Sequence, residues 1–193
     1  MKLDILDYID DFSLVELTNG YRLEDFECTI EEYKIFLTNR ALSHQELNIS
    51  RTYLLISKSN SDVVAYMSLI SDSIKLKQDE KISYFDDSAY FPSYPSMKIA
   101  KLAVDKNYST NYKNIGTLMI ELSKGIAAEV NESIACRFIT VDADVEHHTW
   151  VTNFYEKCGF VPNEGYKPKS TISMRLNIFP DSVEVEEERE EIS

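Results

Sequence analysis

Apolar positions change their spacing along this chain, and the spacing divides it into strands and helices. Thr52 to Ser57 and Val63 to Ile70 are runs rich in β-branched and aromatic residues. Ser59-Asn60-Ser61-Asp62 between them is turn material, so the pair predicts a hairpin. From Ile30 to Leu47, the residues Ile30, Tyr33, Phe36, Leu37, Ala41 and Leu42 recur at three- and four-residue steps, which predicts a helix. Thr29, with Glu32 three residues on, has the form of a capping box. Glu16 to Arg22 has room for a short first strand with Asn19-Gly20 as punctuation.

The second half alternates the two periods. A strand is predicted over 97–105, a helix over 114–130, a strand over 135–142, a helix over 146–157 and a last strand near 171–178. Gly159 falls just past a helix, where a left-handed cap is wanted. Residues 71–95 are polar and aromatic, with Pro92 and Pro95, and read as a long loop with room for a short helix. Such a loop in a compact domain is often functional, and here it is placed to cover a substrate site. The order β–α–β–β–β–α–β–α–β predicts an α/β (α+β) fold: a mixed sheet with helices on its faces.

Composition narrows the setting. A chain of 193 residues fits one domain, taken as 1–180, large enough to bury a core without staples. No apolar run nears the roughly 18 to 20 residues that span a bilayer. Asp4 and Asp7 stand where a secretory signal carries bases, so a cytoplasmic protein with no membrane partner is expected. Cys28, Cys136 and Cys158 lack metal-ligand spacing and read as free thiols. His147-His148 are adjacent and share no helical face, so no metal site is expected there.

The net charge is −13, of which the acidic tail 181–193 carries −6. That tail reads as disordered, either a solvated end or a docking element for a basic partner. The remaining −7 repels phosphate backbones at long range and disfavours nucleic acid as a partner.

Chemistry concentrates between Lys98 and Phe160. A strand runs into a polar turn, Asp105 to Asn114, and the turn feeds a helix starting at Ile115. Free backbone N–H groups and the positive end of a helix dipole make such a place a general pyrophosphate site. Gly116 either admits close backbone approach or serves packing, Asn114 tolerates left-handed geometry, and Lys113 adds a positive charge. In the second strand–helix unit, Asp142, Asp144 and Glu146 lie at or just after a strand's C-terminal end. A base or water-holding carboxylate can sit there, and so can a merely solvated one.

With these residues in view, the chain resembles the GNAT N-acetyltransferase superfamily. That family's cofactor turn reads Gln/Arg-x-x-Gly-x-Gly/Ala between a strand and a helix, and Asn111-Tyr112-Lys113-Asn114-Ile115-Gly116 occupies the matching place. Its later helix reads Asn-x-x-Ala-x-x-Phe-Tyr-x-x-x-Gly-Phe, and His148 to Phe160 matches the second half residue for residue. Asn111, Asn114, His148 and Val151 depart from the family's letters, and Ser109 and Thr110 look like an insertion. Phe26-Glu27-Cys28, Phe36-Leu37, Ser50-Arg51-Thr52-Tyr53 and Lys101 to Asp105 resemble the branch that holds toxins acetylating aminoacyl-tRNA.

The resemblance implies a mostly antiparallel central sheet with helices on both faces and acetyl-CoA as cosubstrate. It implies that backbone groups of Leu102 and Val104 pair with the pantetheine arm as an added strand. It also implies that the segment Asn111, Lys113, Asn114, Ile115, Gly116 and Thr117, with His148, binds the cofactor, and that Tyr155 protonates the departing thiolate. The acceptor would be a small-molecule or peptide amine, with charged tRNA the one nucleic acid left open. A homodimer is left open too. A catalytically silent GNAT-like binding module is the reading from another class.

Overall fold

The computed structural model describes residues 2–85, 91–146, 149–163 and 170–179. The expectations on His147-His148 and on the tail 181–193 lie outside the described residues. The chain divides into two compact units, Met1–Ser71 with Met97–Ile126, and Asp72–Ser96 with the described residues from Ala127 onward.

In chain order the first elements are β1 (Leu3–Asp4), a 3₁₀ segment (Ile5–Asp11), β2 (Phe12–Glu16), α1 (Glu31–Asn39), α2 (Ala41–Glu46), β3 (Arg51–Ser57) and β4 (Val63–Ile74). Then follow α3 (Gln78–Phe85), β5 (Tyr94–Val104), α4 (Lys106–Asn111), β6 (Tyr112–Lys113) and α5 (Ile115–Asn131). The chain continues through β7 (Phe138–Asp144), α6 (Val151–Lys157), β8 (Val161–Pro162) and β9 (Thr171–Asn177).

In the first unit β2, β3 and β4 are antiparallel neighbours, with Leu14 opposite Leu55 and Leu54 opposite Tyr66. The predicted hairpin is β3–β4. Its residues are buried without alternation from Leu54 to Ser57 and from Val63 to Leu69, the pattern of a sheet covered on both faces. Leu54, Ile56, Val63 and Tyr66 share a core with Leu17, Phe26, Phe36, Leu37 and Ala41. The Tyr66 ring meets Phe26 edge-on at 5.6 Å and stacks on Phe36 at 6.3 Å. Its hydroxyl donates to the Tyr33 carbonyl at 2.8 Å. Burial pushes this phenol far above its ordinary range, so Tyr66 offers no proton near neutrality.

Two expectations for this unit change. The helix over 30–47 is two helices, because Arg40 leaves helical geometry (φ −127°) between α1 and α2. The capping box does not form: Ile30 is the N-cap and no side chain caps it. The Glu32 carboxylate faces Lys101 at 3.2 Å instead, and Lys101 lies over the Tyr33 ring at 4.5 Å. The strand predicted within Glu16 to Arg22 lies upstream of that place, as β2 at Phe12–Glu16.

In the second unit β9 is antiparallel to both β7 and β8, with Val141 opposite Met174 and Val161 opposite Arg175. The stretch expected as a long loop begins as the end of β4 and then forms α3. Phe85 stacks on Tyr94 at 4.8 Å and Tyr84 meets Phe138 edge-on at 5.3 Å, so aromatic packing holds the helix. Arg175, 5% exposed, pairs with Glu80 of α3 at 2.7 Å and donates to Asn163 Oδ1 at 2.9 Å.

The helix predicted over 146–157 is shorter, Val151–Lys157, and ends as expected at Gly159 in the left-handed region (φ +89°). The Gly159 N–H donates to Glu156 O at 2.9 Å and the Phe160 N–H to Tyr155 O at 3.0 Å. A Cβ at this position would lie 3.2 Å from Leu176 Cδ1. Gly159→Ala should therefore lower stability by about 1–2 kcal/mol. Urea denaturation measures this, and an unchanged midpoint would show that the cap does not limit the fold.

Candidate active site

The first unit carries the turn, and one buried carboxylate sets its shape. Asp105 follows β5 directly and is 3% exposed. Its Oδ1 accepts from the amides of Asn107 (2.8 Å) and Tyr108 (3.2 Å), the standard bonds of a helix N-cap. Its Oδ2 accepts from the Glu27 amide at 2.9 Å, and the Lys106 amide donates to Glu27 O at 2.7 Å. Two stretches singled out in the sequence, Phe26-Glu27-Cys28 and Lys101 to Asp105, thus meet through one side chain.

This capping corrects the polar turn expected from Asp105 to Asn114. Most of it is structured, first as α4 and then as β6. Asn111 closes α4, and its side-chain amide donates to Asn107 O at 3.2 Å. The extra residues Ser109 and Thr110 belong to the same helix, each hydroxyl donating to Lys106 O at 2.9 Å.

β6 pairs in parallel with β1, placing Leu3 opposite Tyr112 and Asp4 opposite Lys113. Only Asn114 remains between β6 and α5, and it sits in the left-handed region (φ +65°). The Leu118 amide donates to Asn114 O at 2.9 Å. Helix geometry therefore leaves the amides of Ile115, Gly116 and Thr117 without intrahelical acceptors, at the positive end of a 17-residue helix. Leu102 and Val104, both half-buried, lie on β5 just before Asp105. Such a turn can hold a diphosphate on backbone groups. Lys2, Leu3, Thr110, Asn111 and Tyr112 line an open cleft of about 530 Å³ beside it.

No spacing in the sequence pointed to Asp4, which is 110 residues from Asn114. Its Oδ2 accepts from Asn114 Nδ2 at 2.8 Å and pairs with Lys113 Nζ at 3.1 Å, while Oδ1 accepts from the Leu6 amide at 3.2 Å. Partial desolvation works to raise its pKa. The bonds from Leu6, Lys113 and Asn114 outweigh it and hold the carboxyl below its ordinary 3.8.

The second unit carries Tyr155, in the middle of α6 and 8% exposed, its ring against Phe154 at 5.0 Å and Phe160 at 5.2 Å. Asp142 is exposed on β7 opposite Ser173, and Asp144 is half-buried opposite Thr171. Glu146 is exposed, with its amide donating to Ser170 O at 3.3 Å. His148 lies outside the described residues. Among the described residues, no helix is long and apolar enough to cross a membrane.

Two expectations follow from this geometry. Asp105→Ala removes an N-cap and leaves the Glu27 amide unpaired, so it should cost about 2–3 kcal/mol in chemical denaturation. A loss under about 0.5 kcal/mol would show that the corner is held by other contacts. A carboxyl-detected titration should place Asp4 below 3.8, and Lys113→Met should raise its midpoint. Because the folded value is depressed, the stabilisation is present above the ordinary carboxylate range and disappears as pH falls through the folded midpoint. An Asp4 midpoint unmoved by Lys113→Met would mean the pair carries no interaction.

No family model matches the chain. Solved structures do. A tyrosine-to-phenylalanine mutant of the AtaT toxin, bound to the C-terminus of the antitoxin AtaR and to acetyl-CoA, is 19% identical with a TM-score of 0.68, over 88% of this chain and 94% of that one. AtaT complexed with acetyl-methionyl-tRNAfMet is 18% identical with a TM-score of 0.72, over 91% and 98%. A tyrosine-to-phenylalanine mutant of KacT is 15% identical with a TM-score of 0.71, over 92% and 98%. The fold of this chain is therefore that of the AtaT and KacT structures, a mixed α/β fold with a mostly antiparallel sheet.

Proposed function

We propose that the protein is an acetyl-CoA-dependent N-acetyltransferase. The observation that carries this is the turn itself: left-handed Asn114 between β6 and a 17-residue helix, in a chain whose fold is that of the AtaT and KacT toxins. The amides of Ile115, Gly116 and Thr117 would hold the diphosphate, with Lys113 beside them. The backbone of Leu102 and Val104 would receive the pantetheine arm, and Asn111 and His148 belong to the same assignment.

Acetyl-CoA supplies an acetyl group activated as a thioester. The acceptor amine, once neutral, attacks the thioester carbonyl carbon, and a C–N bond forms as the C–S bond breaks. Tyr155 donates its hydroxyl proton to the departing sulfur, while the amine's surplus proton leaves to a carboxylate or to solvent. A free thiol has a pKa near ~8.5, so its thiolate is a moderate leaving group that benefits from a placed donor. Packing against Phe154 and Phe160 fixes the Tyr155 ring, which suits a donor that must not wander.

The acceptor is an amine, and a second observation favours one class of it. The likeness to AtaT in complex with acetyl-methionyl-tRNAfMet supports the α-amine of a charged tRNA over a small-molecule or peptide amine. The acidic body works against long-range attraction of tRNA, so binding would rest on short-range contacts.

Calorimetry should show acetyl-CoA binding, and Tyr155→Phe should lower kcat by roughly 100- to 10,000-fold with little change in the KM for acetyl-CoA. Absence of binding would sink the enzymatic reading and leave the silent module. In a cell-free translation extract the protein should inhibit only when acetyl-CoA is present. Inhibition without acetyl-CoA, or none at all, would remove the tRNA acceptor.

A further inference from the structure

The resemblance places a glycine of the cofactor motif where this chain has Asn114, and the Asn114 backbone lies in the left-handed region. Asparagine enters that conformation more readily than other residues with a Cβ, helped by hydrogen bonds of its side chain, and still at a cost against glycine. The neighbouring contacts show what holds it there. The β1–β6 register sets Asp4 opposite Lys113, one residue short of Asn114, and the carboxylate accepts from the Asn114 side-chain amide at 2.8 Å.

Asp4 is itself fixed from several sides. Ile5, next in the chain, is fully buried (0% exposed), and the Leu6 amide binds the other carboxylate oxygen. Lys2 Nζ donates to Ser109 O, and Tyr8 and Phe12 meet the Tyr112 ring edge-on at 6.2 Å and 5.7 Å. Lys58 donates to Asp10 O and Asp11 O from its side chain and its amide. The segment Lys2–Asp11 is thus a strap bound along α4 and β6.

From this geometry we propose that Asp4 is a positioning residue for the cofactor turn. It anchors the Asn114 side chain, so that the backbone holds the left-handed form a glycine would otherwise supply. The inference rests on the acetyl-CoA reading above for its effect on affinity, but not for its effect on the turn. The Asp4 carboxylate also neutralises Lys113, and this makes a competing expectation: a carboxylate beside a diphosphate site repels the ligand.

The two expectations have opposite signs for Asp4→Ala. If Asp4 positions the turn, calorimetry with acetyl-CoA should show about tenfold weaker binding by Asp4→Ala. Asp4→Asn keeps one acceptor oxygen for the Asn114 amide while giving up the bond from Leu6, and should stay within about threefold of the parent. Asn114→Gly added to Asp4→Ala should recover most of the loss, because glycine takes the left-handed form unaided. In the ligand-free protein, amide exchange at Asn114 to Thr117 should quicken in Asp4→Ala and stay near the parent rate in Asp4→Asn.

Tighter or equal binding by Asp4→Ala, or unchanged exchange at those amides, overturns the proposal. So does a loss in Asp4→Asn as large as in Asp4→Ala. If the parent protein binds no acetyl-CoA, the acetyltransferase reading fails, and the exchange measurement alone decides whether Asp4 positions the turn.

Discussion

The corner at Asp105 is the constraint on which the rest of the turn depends. A strand that ends in a buried carboxylate must find donors for both oxygens or give up the charge. Here the donors are three backbone amides, two from the start of α4 and one from Glu27. The bond to Glu27 ties the end of β5 to the segment before α1, and the other two start a helix where the chain would otherwise run on as a loop. The direction of α4 then brings the chain to β6, and β6 leaves one residue in which to reverse into α5. The phosphate-binding capacity proposed for the α5 N-terminus is therefore a late consequence of a cap several residues upstream.

Much of the frame was legible in the sequence because its signals were local. The β3–β4 hairpin follows from two β-branched runs around a polar tetrapeptide, and the end of α6 follows from a glycine in the right place. Both need only neighbours in the chain. What was misread depended on partners far away. Glu32 resembled half of a capping box, but Lys101 takes its carboxylate. The short helix for which residues 71–95 had room could not be placed at 78–85, because its support lies outside it: Phe138 and Tyr94 for the rings, Arg175 for Glu80.

The site divides in the same way. The candidates Tyr155 and Gly159 stand in a contiguous motif, and the start of α5 is marked by Gly116 and by Lys113 just before it. Asp105 stood in view as the start of a polar stretch and the end of Lys101 to Asp105, and not as a cap, because capping is a property of where the next amides point. Asp4 was read as evidence against a secretory signal, and nothing in its neighbours linked it to a helix over a hundred residues on. Asn114 takes a left-handed backbone that glycine adopts without strain, and the letter alone does not announce that angle.

The pairing of β1 with β6 has a consequence in time as well as in space. Leu3 and Asp4 leave the ribosome well before the strand they pair with, which follows only after some 110 further residues. Loop-closure entropy opposes contacts between such distant parts until the intervening chain has ordered. The hairpin β3–β4 can close on its own, whereas the geometry around Asn114 must wait for both ends of the first unit. Folding that stalls partway would thus yield a protein with its core assembled and its turn unformed.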